Sequence, residues 1–209
     1  MLCLWRPERV KGLVNLSVPY TPRDPRTKPV DKWRKLYGDD HYICRFQEPG
    51  DIEAELSPIG IKTVMQKFLT YSSPHPFHFP KGKGFGDSSA TPLDLPSWLP
   101  EDDLEYYSKK FEKTGLTGGI NFYRALNLNW ELTAPWSGAQ VKVPAKFITG
   151  ELDLVYHTPG TKEYIHNGGF KKFVPLLEDI VVIEGAAHFV KQERPEEFNL
   201  HIYDFIKKF

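Results

Sequence analysis

Two short segments late in the sequence carry the side chains best suited to proton transfer. Gly150-Glu151-Leu152-Asp153 closes one apolar run, and Gly185-Ala186-Ala187-His188 closes the next. A carboxylate that accepts the Nδ1 proton of an imidazole fixes the ring's tautomer and steadies its cation. Nε2 is then free to take a proton from a nucleophile or from water. Asp153 precedes His188 by 35 residues, room for one helix and one strand. Taken singly, Asp153 reads as a turn aspartate and His188 as a cap for the terminal helix. Placed together in loops beyond the carboxyl ends of neighbouring strands, they read as the acid and base of one catalytic unit. A nucleophile belongs upstream of such a pair, on a sharp strand-to-helix turn of the G-x-S-x-G kind. No such turn occurs: Ser17, in Asn15-Leu16-Ser17-Val18, ends a strand without flanking glycines.

Other residues invite chemistry less strongly. Tyr42 and Tyr123 fall in a mainly helical stretch, where a phenol either packs in a core or donates a hydrogen bond to an oxygen that becomes anionic. His75 and His78 have a spacing that suits a metal only on a helix, which Pro74 and Pro76 forbid, so they read as solvated loop residues. Lys81-Gly82-Lys83-Gly84 resembles a phosphate cradle but lacks both the strand before it and the Ser or Thr after it. Lys32, Arg34 and Lys35 read as a solvated helix face.

The elements that must position these side chains are short and apolar. Val10 to Val18, Val141 to Thr149 and Ile180 to Glu184 are near-continuous apolar runs, the pattern of parallel strands covered on both faces. Helical patterns fall at 159–167 and 170–177, and a terminal helix at 195–209 begins with Pro195 and repeats Phe198, Ile202, Phe205 and Ile206 on one face. Between the first and second strands, further helices are expected at Val30 to Tyr37, Asp51 to Leu56, Gly60 to Thr70 and Pro100 to Phe111, with a proline-rich connection from Ser73 to Pro100. The fold class is therefore α/β. Residues 1–29 hold the end of a core helix and a strand, 30–138 a helical cap inserted between strands, and 139–209 the C-terminal part of the core. Three strands are few for a cap of this size, and the sheet wants partners these residues do not supply.

Composition narrows the function. The 209 residues are 40% hydrophobic and 26% charged, as in an ordinary soluble globular chain. With 27 basic and 27 acidic side chains the net charge is zero, which leaves no electrostatic footprint for nucleic acid. No apolar run approaches the roughly 18 residues of a membrane span. Two cysteines, Cys3 and Cys44, make no disulfide framework, and a reducing, cytoplasmic setting is expected. Met1 to Trp5 lacks a basic leader and reads as the last turn of a buried helix.

From Leu2 to Phe209 the chain resembles the C-terminal two-thirds of the plant soluble epoxide hydrolases, members of the α/β-hydrolase superfamily. The resemblance is carried by RPERVKGLVNLSVPY, YGDDHYICRFQEPGDIEAE, PKGKGFG, GAQVKVPAKFITGELDL and EGAAHFVKQERPEE. It implies that Asp153 is the acid, that His188 activates the hydrolytic water, and that Tyr42 and Tyr123 hold the epoxide oxygen. Apolar Ile43, Phe46, Leu154 and Phe189 beside them are the candidate substrate-binding residues. The implied reaction has two steps, opening of the oxirane by a carboxylate to give an alkyl-enzyme ester and hydrolysis of that ester to a vicinal diol. The implied partner is a small apolar epoxide such as a fatty-acid epoxide, with no cofactor and no metal. The family's nucleophilic aspartate sits in a G-H-D-W-G turn, and its oxyanion loop is H-G-F-P. No aspartate of this chain matches the former, so a truncated hydrolase, inactive alone, is expected. The alternative is an inactive remnant that binds a ligand or partner under its cap.

Overall fold

A computed structural model describes residues 1–86 and 94–209. In chain order its elements are α1 (Leu2–Trp5), β1 (Leu13–Leu16), α2 (Pro29–Tyr37), α3 (Tyr42–Arg45), α4 (Asp51–Leu56), α5 (Ile61–Leu69), α6 (Glu101–Thr114), α7 (Thr117–Arg124) and α8 (Leu126–Leu132). There follow β2 (Ala145–Gly150), α9 (Thr161–His166), α10 (Gly169–Phe173), β3 (Leu177–Ile183), α11 (Val190–Glu193) and α12 (Pro195–Ile206). They gather into two compact units. One comprises Met1–Asp24, Ser72–His75 and Pro135–Phe209; the other comprises Pro25–Tyr71 and Pro76–Ala134.

The first unit is built on a parallel sheet in the order β1-β2-β3. Every residue of the middle strand β2 is buried. Its neighbours Phe147 and Ile148 point to opposite faces. Phe147 packs with Cys3, Ile165, Phe170 and Val174, and Ile148 with Ile183, Ala186, Val190, Phe198 and Ile202. Helices thus cover β2 on both sides, as its unbroken apolarity implied. The outer strands differ from that expectation: β1 is half-buried throughout, and β3 leaves Glu178 and Asp179 exposed.

The strand limits shift for local reasons. β1 is only four residues long, where a run from Val10 to Val18 was expected. A Cβ on Gly12 would lie 2.9 Å from the rings of both Phe205 and Phe209, so the terminal helix crowds that end. At the other end Ser17 takes φ 57°, a left-handed conformation that turns the chain out of the sheet. β2 begins at Ala145 because Pro144, lacking an N–H, cannot join the ladder as a donor. β3 begins at Leu177, earlier than expected, because the exposed charges of Glu178 and Asp179 near its start hide an edge strand from an apolarity criterion.

In the second unit α2, α4, α5 and α6 fall where helices were expected. Three further helices, α3, α7 and α8, were not foreseen. In α7, Gly118 and Gly119 lower the intrinsic propensity. Tertiary contact compensates: Arg124 makes a bidentate pair with Glu53 at 2.8 and 2.9 Å, and Thr117 Oγ1 donates to the same carboxylate. The unit's core is Phe46, Ile52, Leu56, Val64, Phe79 and Ile120. Part of the expected proline-rich connection, 87–93, lies outside the described residues. Among the described residues, no helix is long and apolar enough to cross a membrane. Cys3 and Cys44 are buried free thiols.

Candidate active site

The loops after β2 and β3 are laced together residue by residue. Glu151 N–H donates to Ile183 O at 2.9 Å and Leu152 N–H to Ala186 O at 2.9 Å, while Gly185 N–H donates to the Glu151 carboxylate at 3.0 Å. Gly150 permits this approach. A Cβ there would lie 2.3 Å from the carbonyl oxygens of both Ala186 and Ala187. Two chain segments far apart in sequence are thereby held at backbone contact, with Asp153 on one and His188 on the other.

His188 Nδ1 stands 3.0 Å from Asp153 Oδ2, and because a carboxylate only accepts, Nδ1 carries the proton. Asp153 is fully buried, and its Oδ1 accepts the Val155 N–H at 2.7 Å. The His188 side chain keeps 32% of its surface exposed, while that of Asp153 is fully covered. The arrangement is an imidazole oriented through Nδ1, which leaves Nε2 as the ring atom that a general base would use to accept a proton. Phe189 lies against the His188 ring at 5.4 Å, and Leu154 is buried beside Asp153 in sequence.

The second unit brings the two tyrosines together. Their rings meet edge-on at 5.5 Å, and both rings contact Phe46, at 5.7 Å for Tyr42 and 5.2 Å for Tyr123. Gln47 Nε2 donates to the carbonyls of Ile43 and Tyr123, which ties the Tyr42 segment to the Tyr123 segment. Burial pushes the Tyr123 phenol above its ordinary range, so at neutral pH it remains a proton donor. Ile43 and Phe46 are buried in the same unit.

The remaining candidates resolve plainly. Gly82 and Gly84 donate their N–H groups to the Glu55 carboxylate at 2.9 and 3.2 Å, so the glycine loop cradles an anion of its own chain. Glu55 also receives Arg45 at 2.5 Å. His75 and His78 are exposed. Among the described residues no group of three metal-ligating side chains is placed to hold an ion. Sequence reasoning passed over Glu193, whose carboxylate accepts the N–H groups of Ala187 at 2.7 Å and Phe189 at 2.9 Å. A Glu three residues after the start of a short helix was the available signal.

No protein-family model matches the chain. Among curated proteins, Epoxide hydrolase 2 of Siraitia grosvenorii is 61% identical over 207 residues, which are 99% of this chain and 65% of the relative. A solved structure of potato (Solanum tuberosum) epoxide hydrolase I is 65% identical, covers all of this chain with a TM-score of 0.94, and is itself covered over 65% of its length. Over its whole length the chain is similar to plant epoxide hydrolases. More distant epoxide hydrolases match as well, such as Epoxide hydrolase A of Mycobacterium tuberculosis, 32% identical over 95% of the chain. The three-stranded parallel sheet with its flanking helices is accordingly part of an α/β-hydrolase fold. The chain spans 65% of the length of the Siraitia and potato relatives.

Proposed function

We propose that this chain supplies the water-activating and epoxide-holding residues of an epoxide hydrolase. A carboxylate nucleophile from outside these 209 residues attacks an oxirane carbon and the ring C–O bond breaks. The leaving oxygen takes a proton from one of the two tyrosines, Tyr42 and Tyr123, while the other donates a hydrogen bond to it. In the second step water gives a proton to His188 Nε2 and attacks the ester carbonyl, with Asp153 stabilising the imidazolium. Collapse of the tetrahedral intermediate breaks the acyl–oxygen bond, and the departing alkoxide takes the proton from the His188 imidazolium to give the vicinal diol. The nucleophile's carboxylic acid returns a proton to the tyrosinate, regenerating both the carboxylate and the phenol. Ile43, Phe46, Leu154 and Phe189 contact an apolar epoxide, of which a fatty-acid epoxide is the representative. A reducing cytoplasmic setting, in which Cys3 and Cys44 persist as thiols, belongs to the same reading.

The observation that carries this proposal is the buried Asp153 bound to a half-exposed His188, in a chain 61% identical to a curated epoxide hydrolase. The test joins the chain to the N-terminal third of the Siraitia grosvenorii Epoxide hydrolase 2 and follows trans-stilbene oxide. The joined protein should form diol steadily, and the 209 residues alone should form none. His188→Gln in the joined protein should give one stoichiometric burst, because the ester forms and its hydrolysis lacks a base. Steady turnover by that variant, or no diol from the joined parent, refutes the reading.

A further inference from the structure

We propose that Glu193 is a positioning residue for His188, holding the loop that carries the imidazole by the amides on both sides of it. The inference rests on the reading of His188 as the base of an epoxide hydrolase and adds to it a residue outside the acid, base and tyrosines.

The loop from Glu184 to Phe189 has little local reason to be rigid. Gly185 sits at φ 64°, and Ala186 and Ala187 offer no side-chain hydrogen bonds. Asp153 fixes only the imidazole itself, at Nδ1. The main chain beneath the ring is fixed from elsewhere. Glu193 Oε2 accepts the Ala187 N–H at 2.7 Å and Oε1 accepts the Phe189 N–H at 2.9 Å, one oxygen for each flank of His188. From a third direction, Ser17 Oγ donates to the His188 carbonyl at 3.1 Å. Ser17 is the non-glycine residue held at positive φ among those described, at the end of β1. Backbone strain of that kind gathers where the surrounding structure over-determines a geometry.

The carboxylate is suited to this task and an amide is not. Bonds from N–H to an ionised carboxylate are shorter and stronger than neutral ones. A glutamine can accept from one flank with its oxygen, while its NH2 opposes the N–H of the other. Burial raises the Glu193 pKa and the nearby Asp153 charge adds to that rise, while the two amides oppose it. Those two amides, together with the charge of Arg194, are what favours an ionised carboxylate there.

The test uses the chain joined to the N-terminal third of the Siraitia enzyme, in parent and Glu193→Gln forms. The ester-forming step does not use His188, so the variant should keep a burst of one equivalent per folded site. Ester hydrolysis should slow by about 10- to 100-fold, the scale on which a misplacement near 1 Å acts. In histidine labelled with 15N, the His188 Nδ1 proton resonance should move. Loss of folded protein alone would reduce the burst amplitude and leave the decay rate unchanged. Ser17→Ala, which removes the third tether, should slow the same phase. If Glu193→Gln does not fold, Glu193→Asp, one methylene shorter with its charge kept, takes its place with the same expected slowing. An unchanged decay rate at full amplitude, or an unmoved His188 resonance, overturns the proposal. If the joined parent forms no diol, it is the hydrolase reading that fails, and the resonance comparison still decides whether Glu193 positions His188.

Discussion

Gly150→Ala is the sharpest test of how the site is assembled. The added Cβ would sit 2.3 Å from two backbone oxygens, Ala186 O and Ala187 O, where real contacts essentially never fall below 3.0 Å. Neither obstacle is a flexible side-chain tip, so the loops themselves must separate. The separation strains or breaks the Leu152 N–H to Ala186 O bond and the Gly185 N–H bond to Glu151, each contributing about 1 kcal/mol. Overpacking against backbone adds about 1–3 kcal/mol, giving a loss of about 3–5 kcal/mol in all. For a chain of this size each kcal/mol lowers the melting temperature by about 2–4 °C, so a fall of roughly 6–20 °C is expected in differential scanning calorimetry. The same separation draws His188 Nδ1 away from its 3.0 Å contact with Asp153, so the 15N signal of the protonated Nδ1 should broaden or shift. A variant melting within 2 °C of the parent with an unchanged imidazole signal would refute the claim that this glycine sets the approach of the two loops; that threshold is about 0.5–1 kcal/mol.

Two further outcomes follow from the second unit. Replacing both Tyr42 and Tyr123 with Phe in the joined protein should abolish the burst of ester formation itself, and a burst of normal size would show that neither phenol assists ring opening. His41 is 1% exposed, stacks on Trp33 and Tyr37 at 5.3 and 4.9 Å, and has its pKa lowered from 6.5 to about 4, chiefly by burial and secondarily by His78. The unfolded chain therefore binds a proton between pH 6.5 and about 4 that the folded chain refuses. Stability should be intact above that window and fall by about 3 kcal/mol as pH drops through it, read as a decrease in the urea midpoint. His41→Phe should remove that part of the slope, and an unaltered slope would contradict it.

Much of the core was legible because its cause is local. β2 must be apolar on both faces to stand between two layers of helix, and that requirement leaves a continuous run in Ala145–Gly150 that needs no knowledge of the partners. The amphipathic helices α2, α4, α5, α6 and α12 announce themselves in the same way. β3 was read short because Glu178 and Asp179, tolerated on an exposed edge, interrupt its pattern. α7 was missed because its stability comes from Glu53, 71 residues away from Arg124, rather than from its own residues.

The site divides along the same line. Asp153 and His188 could be named from the sequence because each follows an apolar run and a glycine, and strand ends are where such folds place their reactive groups. Tertiary structure alone decided that Gly150 lets their loops touch, that Glu193 and Ser17 hold the main chain around His188, and that Gln47 joins the segments of Tyr42 and Tyr123. Each of these is a contact between backbone groups and side chains whose partners are set by distance in space. Residue type and periodicity report what a segment must bury, and carry almost nothing about which remote amide or carbonyl will meet it.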